Sequence, residues 1–103
     1  MLNKKVIIRS DHAGVFYGTL AEKNDNEVLM TNCRRLLHWE GAASLTELAL
    51  QGTTKPFACM FSMYAPEMVV LGVAEIIPCS DEAIASIESV DPWVEPEDEE
   101  GGI

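Results

Sequence analysis

The chain has 103 residues, 48% of them hydrophobic, and its 7 Lys+Arg against 17 Asp+Glu give a formal net charge of −10. This length points to one domain, and the hydrophobic share supports a core without disulfides or a structural metal. Such an acidic chain repels nucleic-acid backbones and anionic membranes on average, which excludes general DNA or RNA binding but not a local anion site.

The average hides an asymmetry. Residues 1–55 hold all seven bases (Lys4, Lys5, Arg9, Lys23, Arg34, Arg35, Lys55) against six acids, while residues 56–103 hold eleven acids and no base. Six of those acids fall between Asp91 and Glu100. A single globular domain is therefore expected over 1–94, followed by an acidic disordered tail over 95–103. Cys33, Cys59 and Cys79 are odd in number and contain no C-x-x-C pair, which supports neither a disulfide framework nor a zinc site. The sequence shows no signal peptide, and no stretch approaches the ~20 apolar residues that span a bilayer. Together these features predict a soluble cytoplasmic protein with no membrane partner.

In chain order, Val6-Ile7-Ile8-Arg9 reads as a first strand. Residues 10–14 are turn-formers, and Val15 to Leu20 alternates as a second strand. Asn24-Asp25-Asn26 is a turn, because Asn and Asp tolerate positive φ. Glu27 to Asn32 alternates again, with Val28, Met30 and Asn32 on one face. These elements predict an antiparallel meander. Cys33 to Trp39 either continues the third strand or bends into a fourth. Ser44 with Glu47 fits a capping box, Gly52 fits a helix terminator, and Leu45, Leu48 and Ala49 form the apolar stripe between them. Phe57 to Tyr64 reads as a short strand. Glu67 to Ile77 is so rich in β-branched residues that it predicts one central strand with a bend or bulge at Gly72. Ser80 then caps a second helix, whose buried side carries Ala83, Ile84, Ile87 and Val90. The predicted fold is α+β: a small antiparallel sheet, barrel-like or rolled, with two short helices.

The chemistry concentrates between Asn32 and Leu45. Arg34 and Arg35 are the densest positive charge in an acidic chain, and Arg recognises phosphate bidentately. Gly41, Ala42, Ala43 and Ser44 open a helix with little side chain to obstruct an anion approaching its N–H groups. Trp39 or Tyr17 could stack on a base. These eight residues, Arg34, Arg35, Trp39, Gly41, Ala42, Ala43, Ser44 and Tyr17, are the parts of a small nucleotide site. The competing reading pairs one Arg with a tail carboxylate, places Trp39 in the core and lets Gly-Ala-Ala turn the chain. His12, His38 and the cysteines lack metal-ligand spacing, and nothing marks Cys33 as an activated nucleophile. The residues predict no enzyme, no metal and no cofactor.

The chain resembles a family of small uncharacterised proteins of tailed phages and prophages over about residues 4–94. The resemblance rests on Val6-x-x-Arg9-Ser10, on Ala13-Gly14-Val15-Phe16-x-Gly18-x-Leu20, and on a central block. That block is Thr31-Asn32-x-Arg34-Arg35-Leu36-x-x-Trp39-x-Gly41-Ala42-Ala43-Ser44-Leu45-x-x-Leu48-Ala49-x-x-Gly52. It continues through Glu75-Ile76-Ile77 and Ala83-x-x-Ser86-Ile87. Where the family pattern often carries an aromatic, this chain has His38. The resemblance implies phage origin and brings no established activity with it; a small phage protein without catalytic machinery is often an accessory or counter-defence factor. One expectation is a homo-oligomeric sponge that sequesters a phosphate-bearing immune signal, such as a cyclic oligonucleotide or an NAD-derived nucleotide. The alternatives are an acidic inhibitor of a host defence or nucleic-acid enzyme, and a structural or housekeeping phage protein.

Overall fold

The structure, a computed structural model, describes residues 1–96, so residues 97–103 of the expected acidic tail lie outside the described residues. Three strands form the predicted meander: β1 (Lys5–Ser10), β2 (Gly14–Asn24) and β3 (Glu27–His38), each antiparallel to the next. The β2–β3 turn uses Asp25 at φ 56°, a left-handed position that a short polar side chain tolerates. Cys33 to His38 continues β3 rather than opening a new strand.

The regular alternation of β3 breaks at one point. Tyr17 pairs with Arg34 and Thr19 with Thr31, so Gly18 alone stands opposite both Asn32 and Cys33. This is a β-bulge, and Asn32 takes the left-handed φ of 47° that it requires. A Cβ on Gly18 would lie 2.9 Å from the Cys33 Cα, so only glycine fits there. The extra residue reverses the phase of β3. Val28 and Met30 face one core, but Cys33 replaces Asn32 on that face, and Arg34 and Leu36 turn to the other.

After α1 (Leu45–Gln51) and a 3₁₀ turn at Pro56–Ala58 come three more strands: β4 (Met60–Phe61), β5 (Ala65–Val70) and β6 (Val73–Pro78). β5 and β4 pair with the outer side of β3, whereas β6 pairs with β1 at the opposite edge. The run from Glu67 to Ile77 is thus two edge strands and not one central strand. Only Leu71 and Gly72 connect them, which is far too short to cross a flat sheet. The sheet must therefore roll until its two edges meet at a corner. There Val73 N–H donates to the Asn26 carbonyl (2.8 Å), Asp11 N–H to Gly72 (3.1 Å) and Ser10 Oγ to Leu71 (2.7 Å). Contact is confined to that corner, so the six-stranded antiparallel sheet is rolled but not closed into a barrel.

The roll makes two cores. Val6, Ile8, Phe16, Leu20, Val28, Met30, Cys33 and Val70 fill its inside. Ile7, Tyr17, Leu36 and Phe61 on the outer face pack against Leu48 and Ala49 of α1 and Ala83 and Ile87 of α2 (Asp81–Glu88). β1 is buried on both faces, which explains its uninterrupted apolar run. Both helices begin as predicted: Ser44 Oγ accepts from Glu47 N–H (3.1 Å) and Ser80 Oγ from Ala83 N–H (3.0 Å). Gly52, at φ 79°, ends α1 where a Cβ would strike Ser86 of α2. The two helices are tied by Ser80 N–H to the Ala49 carbonyl (3.0 Å) and Thr53 N–H to Ser86 Oγ (2.9 Å). Among the described residues no helix is long and apolar enough to cross a membrane.

Candidate functional site

The bulge decides where the two arginines go. Arg34 is fully buried on the helix side of β3. Its Nε donates to the Ser62 carbonyl (2.9 Å), and Nη1 donates to the Ile87 carbonyl (3.0 Å) and to the Tyr64 hydroxyl (3.4 Å). The guanidinium carbon lies 4.5 Å from the Tyr64 ring centre and 5.4 Å from that of Phe61. Its Nη2, however, is buried without any hydrogen-bond partner. No carboxylate pairs directly with this charge among the described residues. Leaving a buried guanidinium donor unpaired costs free energy unless something else meets it.

Arg35 points the other way. Its guanidinium lies 4.8 Å from the Phe16 ring centre, with Nη1 donating to the Ala13 carbonyl (3.1 Å). The remaining predicted residues do not gather around either arginine. Trp39 and Ala42 pack against the outer core. Gly41, at φ 85°, is required because the backbone at Thr54 and Lys55 crosses within 2.7 Å of where a Cβ would sit. The Ala43 N–H is taken by the Glu47 carboxylate, and Ser44 is occupied as the N-cap. The small residues before α1 therefore seat a neighbouring loop, and a carboxylate stands where the anion was expected. Tyr17 shares the outer core with Trp39 and Ala42, and it is also the cross-strand partner of Arg34.

Tyr17 lines a cleft of about 370 Å³ together with Lys5, Gly18, Thr19, Asn32, Tyr64 and Glu88, and Arg34 lies behind it, hydrogen-bonded to Tyr64. Glu88 organises one wall. Its Oε2 accepts from Lys5 Nζ (2.7 Å) and from the Tyr17 hydroxyl (2.6 Å). Partial burial pushes the Glu88 carboxyl up, but those two hydrogen bonds and the charges of Lys5 and Arg34 outweigh it and hold it below its ordinary value. Tyr17 is the converse: burial, then the hydrogen bond to Glu88, raises its phenol far above the usual range. Burial likewise raises Tyr64. The lining charges of Lys5 and Glu88 cancel, and Arg34, hydrogen-bonded to Tyr64 behind the cleft, adds one positive charge nearby.

Sequence reasoning missed Lys5, Thr19, Asn32, Tyr64 and Glu88, which come from five separate stretches of chain. One signal was present. Glu88 is the last residue of α2, where the helix dipole disfavours a carboxylate, so an acid there needs cations brought from elsewhere. The other reactive groups are quiet. Burial pushes the Cys33 and Cys79 thiols up to about 11, so neither is activated. His38 Nε2 meets Glu40 at 3.2 Å, and among the described residues no three His, Cys, Asp or Glu side chains come together as a metal site.

The fold and cleft thus define a small α+β protein with a rolled antiparallel sheet and one polar cavity over a buried arginine. Residues 3–87 match the family described as Domain of unknown function (DUF6948), and the chain belongs to that family. No curated protein and no solved structure matches it.

Proposed function

We propose that this is a phage accessory protein of the counter-defence type, a sponge that holds a phosphate-bearing nucleotide signal without cleaving it. The observation that carries the reading is the buried Arg34 guanidinium, held behind Tyr64 of the cleft with Nη2 unpartnered and no carboxylate in direct contact among the described residues. A phosphate entering between Lys5 and Tyr64 would supply the missing negative charge, and the Tyr64 ring offers a flat surface for a base. Such a cyclic or NAD-derived signal acts in the infected host's cytoplasm, where this protein would meet it. Self-association belongs to the same reading. β5 and β6 each pair on one side only, and Val69 and Leu71 beside them are exposed.

A thermal-shift panel of cyclic dinucleotides, cyclic trinucleotides and ADP-ribose derivatives tests it. A bound nucleotide raises Tm, the stabilisation growing with the logarithm of its concentration once that exceeds Kd, and chromatography recovers it unchanged. Lys5→Ala and Tyr64→Ala, both at the cleft surface, abolish the rise, read against each variant's own unliganded Tm. Absence of a shift with every nucleotide overturns the proposal, as does recovery of a cleaved product.

A further inference from the structure

Phe57 is 85% exposed and Trp93 58% exposed, in a chain whose other aromatic side chains are mostly inside. Both line a second cleft of about 490 Å³, together with Pro56, Asp91 and Pro92. It shares no residue with the cleft over Arg34. Neither aromatic sits on a loose end. Trp93 N–H donates to the Phe61 carbonyl (2.8 Å), and Pro92 forms a parallel bridge with Phe61, so the segment is laced to β4. Phe57 is the middle residue of the 3₁₀ turn, closed by Cys59 N–H on the Pro56 carbonyl (3.3 Å). A large apolar side chain kept on the surface by a rigid backbone loses little entropy when a partner covers it.

The one charged residue that lines this groove is acidic, and the base nearest in sequence is Lys55, beside Pro56. Asp91 lines it, and Glu95 lines a second, smaller hollow on which Trp93 also borders. Neither acid forms an ion pair among the described residues. Residues 56–96 contain seven acids and no base, and the sequence continues as Glu97-Asp98-Glu99-Glu100. An indole face flanked by carboxylates two residues to either side attracts cations both through its ring and through charge.

We infer that the Phe57–Trp93 groove is a docking site for a basic segment of another protein, in which Arg side chains alternate with apolar ones. The apolar residues sit between the two rings, and the Arg groups meet Trp93, Asp91 and Glu95. Charge complementarity selects this occupant over a second copy of the chain, whose own exposed apolar groove is acidic as well.

The test uses a labelled synthetic peptide alternating Leu and Arg, a matched peptide alternating Leu and Glu, and the full chain. Fluorescence anisotropy should show the Arg peptide binding and the Glu peptide failing to bind. Phe57→Ala and Trp93→Ala, both surface changes, should each weaken the Arg peptide about tenfold. Asp91→Asn should weaken it several-fold and flatten its salt dependence. Three results overturn the inference: no binding of the Arg peptide at about 1 mM, equal binding by both peptides, or Arg-peptide binding untouched by the two aromatic changes. Sedimentation of the free protein provides a fourth, because an oligomer dissolved by Trp93→Ala would assign the groove to a second copy.

Discussion

Arg34 and Arg35 are neighbours in the chain, yet the sheet places their guanidinium groups on opposite sides of β3, one sealed beneath α2 and one lying over the Phe16 ring. Their energetic roles differ accordingly. Arg34→Ala deletes three donated hydrogen bonds, leaves the Ser62 and Ile87 carbonyls short of a partner and opens a cavity. It should cost roughly 3 kcal/mol or more. Arg35→Ala loses a surface cation–π contact and should cost under about 1 kcal/mol. Urea midpoints of the two variants check the contrast; equal losses would contradict the burial of Arg34.

The bulge offers a second test. Gly18→Ala drives a methyl group against the backbone of Asn32 and Cys33, which cannot swing aside as a flexible side-chain end could. A loss of roughly 1–3 kcal/mol is expected. Gly14 has nothing within 4 Å of its Cβ position, so Gly14→Ala bears only the strain of φ 108°. Thermal melts of both variants should rank Gly18→Ala as the more damaging.

Acid should loosen the fold partly through Glu88. Its carboxyl titrates lower in the folded chain than in the unfolded one. The stability it contributes is therefore present above the ordinary Glu value of about 4.3 and is lost as pH falls through the depressed folded value. Glu88→Gln should be less stable than the parent at neutral pH and converge toward it in acid. A constant gap across the acid range would argue against the Lys5–Glu88–Tyr17 hydrogen bonds.

The alkaline limb runs in the opposite direction. Tyr17, Cys33 and Cys79 all titrate higher when folded. Their contributions are complete below the unfolded values, about 8.5 for Cys and about 10 for Tyr, and are lost as pH climbs through the folded ones. Urea midpoints should fall above about pH 8.5, and Tyr17→Phe should blunt the part of the fall above about pH 10. The same burial predicts that Cys33 reacts slowly with thiol reagents until the protein unfolds.

The legible parts of the fold are those decided within a few residues. The β1–β3 meander follows from alternation and the Asn24-Asp25-Asn26 turn, and both helix starts follow from their serine caps. Alternation misled at Asn32, which it put in phase with Met30, because a left-handed residue inside a strand leaves the apolar pattern locally ambiguous. The separation of β5 from β6 was hidden for a related reason. Gly72 signals a bend, but which edge each arm joins depends on pairing with β3 and β1, more than thirty residues away in sequence. The candidate site was half legible. Arg34 was singled out as a phosphate ligand and Tyr17 as a base-stacking ring; the burial of Arg34 was not legible, since an arginine is rarely buried without a carboxylate. Lys5, Tyr64 and Glu88 join them only through the roll and the docking of α2.

The two-residue corner at Leu71 and Gly72 also governs the order in which the chain assembles. The meander and the two helix starts need only local contacts, whereas joining Val73 to Asn26 and Ser10 brings together positions 47 and 63 residues apart. Loop closure costs entropy before those contacts repay it, so the corner is expected to form after the rate-limiting barrier. A change there, such as Gly72→Ala at φ 65°, should speed unfolding and leave the refolding rate nearly unchanged, as stopped-flow chevrons would show. The corner behaves as a latch: it sets how long the folded protein lasts and has little effect on how quickly it forms.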